Sequence, residues 1–342
     1  MVRITAGCTL SLLCAATLYA QEPARTAKTT QGPVNTVINV ISGFAGPIGL
    51  TFSHNGKRLY VANFSQDTVS VVNTARNRVI DNSVYAGPSP YGLAVTPNGR
   101  TLYISNQFMP GTVSVLGART LALKTTISGI GDSPVTLAIT PNGKELYITH
   151  LDGDTVDVFD ISTGKLLPPI TVRTGPIPAG PVAVAFTPNG ESAYVANYDS
   201  GTVSIVDVAT GTAEPTAITV GEGPSGIVIL PDGKKAYTIN YFTVSVIDLS
   251  TNQVTTTINN VGNAQSATVS ALTPDGKYLY VPVFDGSSPG TVAVISTETD
   301  TVVGPPIPVG KEPLALAIAP SGKRAYVSNY GDNTVTVISI KE

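Results

Sequence analysis

Glycines 56, 99, 143, 190, 233, 276 and 322 recur at spacings of 43, 44, 47, 43, 43 and 46 residues. Each closes a tetrapeptide such as Thr-Pro-Asn-Gly, set between two runs that alternate apolar and polar residues. An Asn-Gly or Asp-Gly pair between such runs is the strongest short-range signal for a β-hairpin. A third alternating run follows each hairpin, Thr-Val-Ser-Val in its commonest form. A repeat of this kind buries its apolar residues only by stacking on copies of itself, and a period of this size with strand signals alone predicts a β-propeller of seven blades.

The second repeat parses into four strands, a over 92–96, b over 101–105, c over 112–116 and d over 122–127. Pro97 presets one backbone angle of the a-to-b turn, and Gly99 supplies the positive φ the turn needs. Along strand a, small residues (Gly49 and Thr51, Gly92 and Ala94, Ala315 and Ala317) alternate with large ones (Leu50 and Phe52, Leu93 and Val95, Leu316 and Ile318). Successive strand residues face opposite ways, so each blade offers a small face to one neighbour and a large face to the other. The chain ends after a strand c, 334–338, while 35–41 reads as a strand d without a, b or c before it. The N-terminal strand is therefore expected to complete the last blade, giving an all-β, seven-bladed β-propeller of four-stranded blades with no open edge.

Residues 1–20 combine Arg3, an uncharged run over 4–18 and a small-residue end, which reads as a secretory signal peptide. Residues 21–34 read as a flexible linker and 35–342 as the propeller. The expected location is the periplasm or the cell exterior. No stretch reaches the length of a membrane-spanning helix. Both cysteines, Cys8 and Cys14, fall inside the signal, which leaves no disulfide, thiolate nucleophile or thiolate metal ligand in the mature chain. Formal net charge is −3 and becomes one unit more negative when Arg3 is removed, so nothing favours a nucleic-acid partner. A monomer is expected.

Tyr60-Val-Ala-Asn63, Tyr103-Ile-Ser-Asn106, Tyr194-Val-Ala-Asn197 and Tyr326-Val-Ser-Asn329 each lie between a turn glycine and a Thr-Val-Ser/Thr run. These units resemble the repeats of the YVTN-type β-propeller proteins over about 35–342. The resemblance implies a seven-bladed propeller related to lactonase-type and quinoprotein-type propellers, usually secreted or surface-associated, and it implies no single activity. Quinone-binding propellers of that kind use Trp-rich repeats; Trp is absent here, and no cofactor is implied.

Strand alternation puts the b-to-c loops and d-to-a connections on one face, the loop face, and the a-to-b and c-to-d turns on the other, the turn face. Irregular loops on a rigid scaffold are where function usually sits. The Asn that ends strand b in five repeats is expected to bond its own loop backbone. His150 takes its place in the third repeat and is one of two histidines, His54 being the other, in a turn. His150, Arg173 and Glu222 are the candidates for proton transfer and oxyanion stabilisation if the protein is a hydrolase or lyase. The d-to-a connections bring Asp132, Arg173, Glu222, Lys311 and Glu312 to the expected channel mouth, with Tyr91 one step into its strand and Tyr198 and Tyr241 on the rim. Asp152 and Asp154 are weak candidates for a calcium ion. The expected function is a binding module that takes a small molecule, glycan or protein at this mouth; a lactonase-like enzyme is the alternative. The near-identical turns of the other face are expected to offer no distinctive pocket.

Overall fold

The computed structural model of the protein describes residues 32–264, 269–284, 286 and 289–341. The expected signal peptide at 1–20, and the expected linker up to residue 31, lie outside the described residues. Among the described residues the strands form seven antiparallel sheets, each a blade. Blade 2 runs through strand a (Pro90–Val95), b (Thr101–Asn106), c (Thr112–Gly117) and d (Leu123–Ile127). The inner strands of blades 1, 3, 4, 5, 6 and 7 are Pro47–Phe52, Pro134–Ile139, Pro181–Phe186, Gly226–Ile229, Ala271–Leu272 and Pro313–Ile318.

Three outer strands are split into two short pieces, in blades 3, 4 and 6. The breaks contain Pro168 and Pro169, Pro215, and Pro305 and Pro306. Proline has no N–H to donate to the ladder, so the strand lets go of its neighbour there and resumes beyond it.

The ring closes as expected. Val34–Ser42 pairs antiparallel with Thr334–Lys341, Val34 lying opposite Lys341 and Ser42 opposite Thr334. It supplies strand d of blade 7, whose other three strands come from the C-terminal end of the chain.

Seven buried apolar clusters hold the described residues together, and each joins two adjacent blades. The core therefore lies between blades, which is why both faces of every strand b are buried. The small face of strand a answers a close approach of backbones: a Cβ on Gly49 would overlap the Tyr91 carbonyl oxygen, and one on Gly92 would overlap that of Val135.

The strand-b tyrosines add a polar tie across the same interfaces. The hydroxyl of Tyr60 donates to Ala118 O at 2.5 Å, of Tyr194 to Asn252 Oδ1 at 2.6 Å, of Tyr237 to Asp300 Oδ1 at 2.5 Å, and of Tyr280 to Asn35 Oδ1 at 2.8 Å. Tyr326 of blade 7 donates to Asn77 Oδ1 of blade 1 at 2.6 Å and so spans the closure. Each acceptor lies in the next blade. Burial, and for Tyr237 also the neighbouring Asp300, raises the phenols of Tyr60, Tyr194, Tyr237 and Tyr326 above their ordinary pKa and keeps them as donors.

Candidate functional site

The two faces separate as the alternation of strands requires. On the loop face the residue after strand b donates its N–H to the d-to-a connection of its own blade: Phe64 to Gly46 O, Gln107 to Ser89 O, Leu151 to Ser133 O, Tyr198 to Gly180 O and Tyr330 to Glu312 O. On the turn face the c-to-d turn donates to the a-to-b turn, as from Thr74 to Lys57 O and from Ala118 to Arg100 O. Side chains tie the loop face further. Asp67 Oδ1 accepts from Ser89 N at 2.8 Å, Asn333 Oδ1 from Gly46 N at 2.7 Å and Asp332 Oδ2 from Lys311 N at 2.7 Å.

These ties account for several of the residues singled out from sequence. Arg173 is exposed, and each of its three guanidinium nitrogens makes a local bond: Nε to Gly175 O at 2.8 Å, Nη2 to Pro176 O at 2.6 Å and Nη1 to Asp154 Oδ2 at 3.1 Å. It shapes its own connection with these three bonds. Asp154 accepts in addition from Ala179 N at 2.7 Å, and Asp152 from Ser133 Oγ at 2.8 Å. Both carboxylates thus take part in ties among the loops of blades 3 and 4. Among the described residues no group of three or more His, Cys, Asp or Glu is placed to hold a metal ion. Burial, and then the charges of Asp152 and Asp154, raise the pKa of the neighbouring Asp199.

A cavity of about 510 Å³ occupies the channel between the inner strands. Blades 6, 7, 1, 2 and 3 line it with small and aliphatic residues including Gly49, Gly92, Leu137, Ala271 and Leu316. Of the expected mouth residues, Tyr91 lines this cavity, while Asp132, Arg173, Glu222, Lys311, Glu312, Tyr198 and Tyr241 do not. Their segments are bonded outward to the b-to-c loops, which leaves the channel wall to strand a. Tyr91 stands at the loop-face end, its ring edge-to-face with Phe64 at 6.4 Å. His54 lines the opposite end.

Tyr198 and Tyr241 form a separate aromatic patch across blades 4 and 5. Their hydroxyls are 2.5 Å apart and their rings 5.6 Å apart in an edge contact. Phe242 continues the patch with a ring 6.3 Å from Tyr241 and is 59% exposed. The Tyr241 ring covers Gly223, where a Cβ would overlap it.

The recurring Asn ties strand b to strand c, and in blades 1 and 7 its Oδ1 also accepts from loop backbone, from Ala45 N at 3.4 Å and Gly310 N at 3.2 Å. Asn63, Asn106, Asn197, Asn240 and Asn329 each donate from Nδ2 to two hydroxyls of strand c, the first being Thr68, Thr112, Thr202, Thr243 and Thr334. The second acceptor is Ser70, Ser114, Ser204, Ser245 or Thr336, at 2.8–3.0 Å. In blade 3 both partners change together, Asn to His150 and Ser to Asp157. His150 is 2% exposed, and its Nε2 stands 2.9 Å from Asp157 Oδ2. The same oxygen accepts from Gly131 N at 2.8 Å, and the imidazole ring lies directly against Gly131. Burial pushes the Asp157 carboxyl up, but the bonds from His150 and Gly131 outweigh it and hold it below the carboxylate range. His150 is thus a buried clamp, enclosed away from the cavity. The paired exchange of Asn-Ser for His-Asp was readable from the aligned repeats; that the two positions touch was not.

Comparison with known proteins agrees with this architecture. No curated protein matches the sequence. A solved chain of Kuenenia stuttgartiensis hydrazine synthase superposes with a TM-score of 0.76 at 24% identity, covering 88% of this chain and 97% of that one. At that identity the likeness is one of fold. Residues 79–176 and 234–342, more than half of the sequence, match the family described as "Lactonase, 7-bladed beta-propeller". With seven closed blades and that match, the chain belongs to the lactonase family of seven-bladed β-propellers.

Proposed function

We propose that this protein is a binding propeller, exported to the periplasm or the cell exterior, that takes a small and largely apolar molecule into its central channel from the loop face. One observation carries the reading: the channel cavity is walled by aliphatic side chains and inner-strand backbone, with Thr51, Thr136 and His54 among its polar side chains and Tyr91 at its loop-face end. A concave apolar site with few polar groups is the ordinary form of a small-molecule pocket. A thermal-shift screen finds the ligand, since whatever binds the folded state raises the melting temperature by mass action. Tyr91→Ala should then weaken binding by about 1–3 kcal/mol, as loss of a buried aromatic anchor does, and Lys144→Ala on the turn face should leave it unchanged. Undiminished affinity in Tyr91→Ala would defeat the channel reading.

A lactonase-like hydrolase or lyase is the second reading, favoured by the family match over 79–176 and 234–342. Such an enzyme adds water to the ester carbonyl of a cyclic ester and breaks the ring C–O bond to give a hydroxy acid. The step needs a base beside the carbonyl. His150 is enclosed, whereas His54 lines the cavity, so His54 takes the base's place in this reading. Incubation with a lactone panel at constant pH decides: acid release by the wild type that His54→Ala abolishes establishes hydrolysis, and no release leaves the binding module.

A further inference from the structure

The turn face was expected to be featureless, yet a cavity of about 420 Å³ lies on it between blades 1 and 2. It exists because blade 1 departs from the repeat at this point. Around the ring each turn glycine leans on the turn proline of the preceding blade: a Cβ on Gly143 would stand 3.5 Å from Pro97, one on Gly190 3.4 Å from Pro141 and one on Gly233 3.3 Å from Pro188. In blade 1 the proline's place is held by His54, and Gly99 of blade 2 rests against its Cβ instead. A compact apolar contact is thereby replaced by an exposed imidazole that lines both the channel and the cleft.

Three cationic residues share the rest of the cleft wall with neutral ones. Lys57, Arg58 and Arg119 line it together with Asn55, Asn98 and the Tyr60 ring. Arg58 is half-buried and donates from Nη1 to Arg119 O at 2.8 Å, which holds one guanidinium beside the base of the other arginine's side chain. The equivalent contact between blades 5 and 6 is neutralised, Lys235 Nζ standing 2.7 Å from Asp300 Oδ2. At the place of Asp300, the turn of blade 2 carries Leu121. Among the described residues none of His54, Lys57, Arg58 and Arg119 forms an ion pair, and no acid lines the cleft. Concentrated like charge with no internal counter-ion is compensated from outside, and forked guanidinium donors match the oxygens of phosphate and carboxylate.

We infer that the cleft between blades 1 and 2 is a binding site for a compact multivalent oxyanion, a polyphosphate or polycarboxylate group, held by Arg58 and Arg119 with Lys57 and His54 at its margins. The site lies on the face opposite the Tyr91 end of the channel and stands whichever reading of the channel holds.

The test is isothermal titration of the full chain at low salt with inorganic pyrophosphate and, separately, with citrate. Saturable binding of one equivalent of either is expected; pyrophosphate alone marks a phosphate site, and both mark a general oxyanion site. Arg58→Thr, which installs the residue of blade 2, and Arg119→Ala should each weaken binding about tenfold, as loss of a charge-assisted bond does. His54→Pro restores the turn of the other six blades, so it should fold well and weaken binding about threefold. Lys234→Ala, in the equivalent turn of blade 5, should change nothing. If Arg58→Thr lowers the melting temperature, the exposed Arg119→Ala decides in its place. Absence of binding by both probes, or an equal loss in Lys234→Ala, overturns the inference.

Discussion

His150 Nε2 and Asp157 Oδ2 lie 2.9 Å apart at the two positions that hold Asn and Ser in blades 1, 2, 4 and 5. Both clamps bridge the end of strand b to strand c, one with a neutral amide and hydroxyl, the other with an imidazole and carboxylate. The exchange works only as a pair. Asp157→Ser should cost about 2–3 kcal/mol, because it strands a buried imidazole. The double variant His150→Asn/Asp157→Ser should recover to within about 1 kcal/mol of the wild type, which chemical denaturation in a double-mutant cycle would measure.

The same pair sets a pH dependence. Asp157 has a lowered pKa in the folded protein, so its contribution is fully present above the ordinary carboxylate pKa of about 4 and is lost as pH falls through the lower folded value. The stability deficit of Asp157→Asn relative to wild type should therefore shrink on acidification below about pH 4. A deficit that grew in acid would contradict this assignment.

The tyrosine ties predict an unequal response to one chemical change repeated around the ring. Tyr237→Phe and Tyr326→Phe should each cost about 1–2 kcal/mol, since Asp300 and Asn77 lose a short bond from a buried donor. Tyr103→Phe should be near neutral, because among the described residues its hydroxyl has no such acceptor in the next blade. Melting temperatures of the three variants are a direct comparison; equal losses would mean that ring packing, and not the hydroxyl, carries the effect.

Closure by the N-terminal strand is tested by two truncations. Removing residues 1–42 takes away the partner of Thr334–Lys341 and exposes the c strand of blade 7 as an edge. That chain should melt lower and self-associate, as unpaired edges do, which light scattering would detect. Removing residues 1–31 should leave both readouts as they are in a chain that begins at Gln21.

Gly49 marks where blades meet most closely. Gly49→Ala puts a Cβ onto the Tyr91 carbonyl of the neighbouring inner strand, and because that obstacle is backbone the two strands must separate. A loss of about 2–4 kcal/mol is expected from this overpacking. Gly164→Ala, where a Cβ meets nothing within 4 Å, isolates the cost of the positive φ alone, about 1 kcal/mol. Denaturation midpoints separate the two.

Several levels of this fold are legible in the sequence alone. The turn tetrapeptides, the alternating runs and the unmatched strand at residues 35–41 specified seven blades and their closure, because each of those features concerns pairing within some 15 residues or the simple count of strands. The alternation of small and large residues on strand a likewise told which face meets which neighbour, and Gly49 and Gly92 show the consequence in their contacts with Tyr91 and Val135. What the tertiary structure decided is how the blades meet. Tyr194 finds Asn252 and Arg58 finds Arg119 across 58 and 61 residues of sequence, a separation longer than one repeat that is set by the angle and offset between neighbouring sheets. The same geometry tied Arg173 and Asp154 into their own loop, enclosed His150, and moved the ionisable end of the channel to His54. A repeat encodes hydrogen bonding inside its own blade almost completely; it leaves open which side chains the curvature of the ring will bring together, and there only the assembled structure distinguishes a clamp from a site.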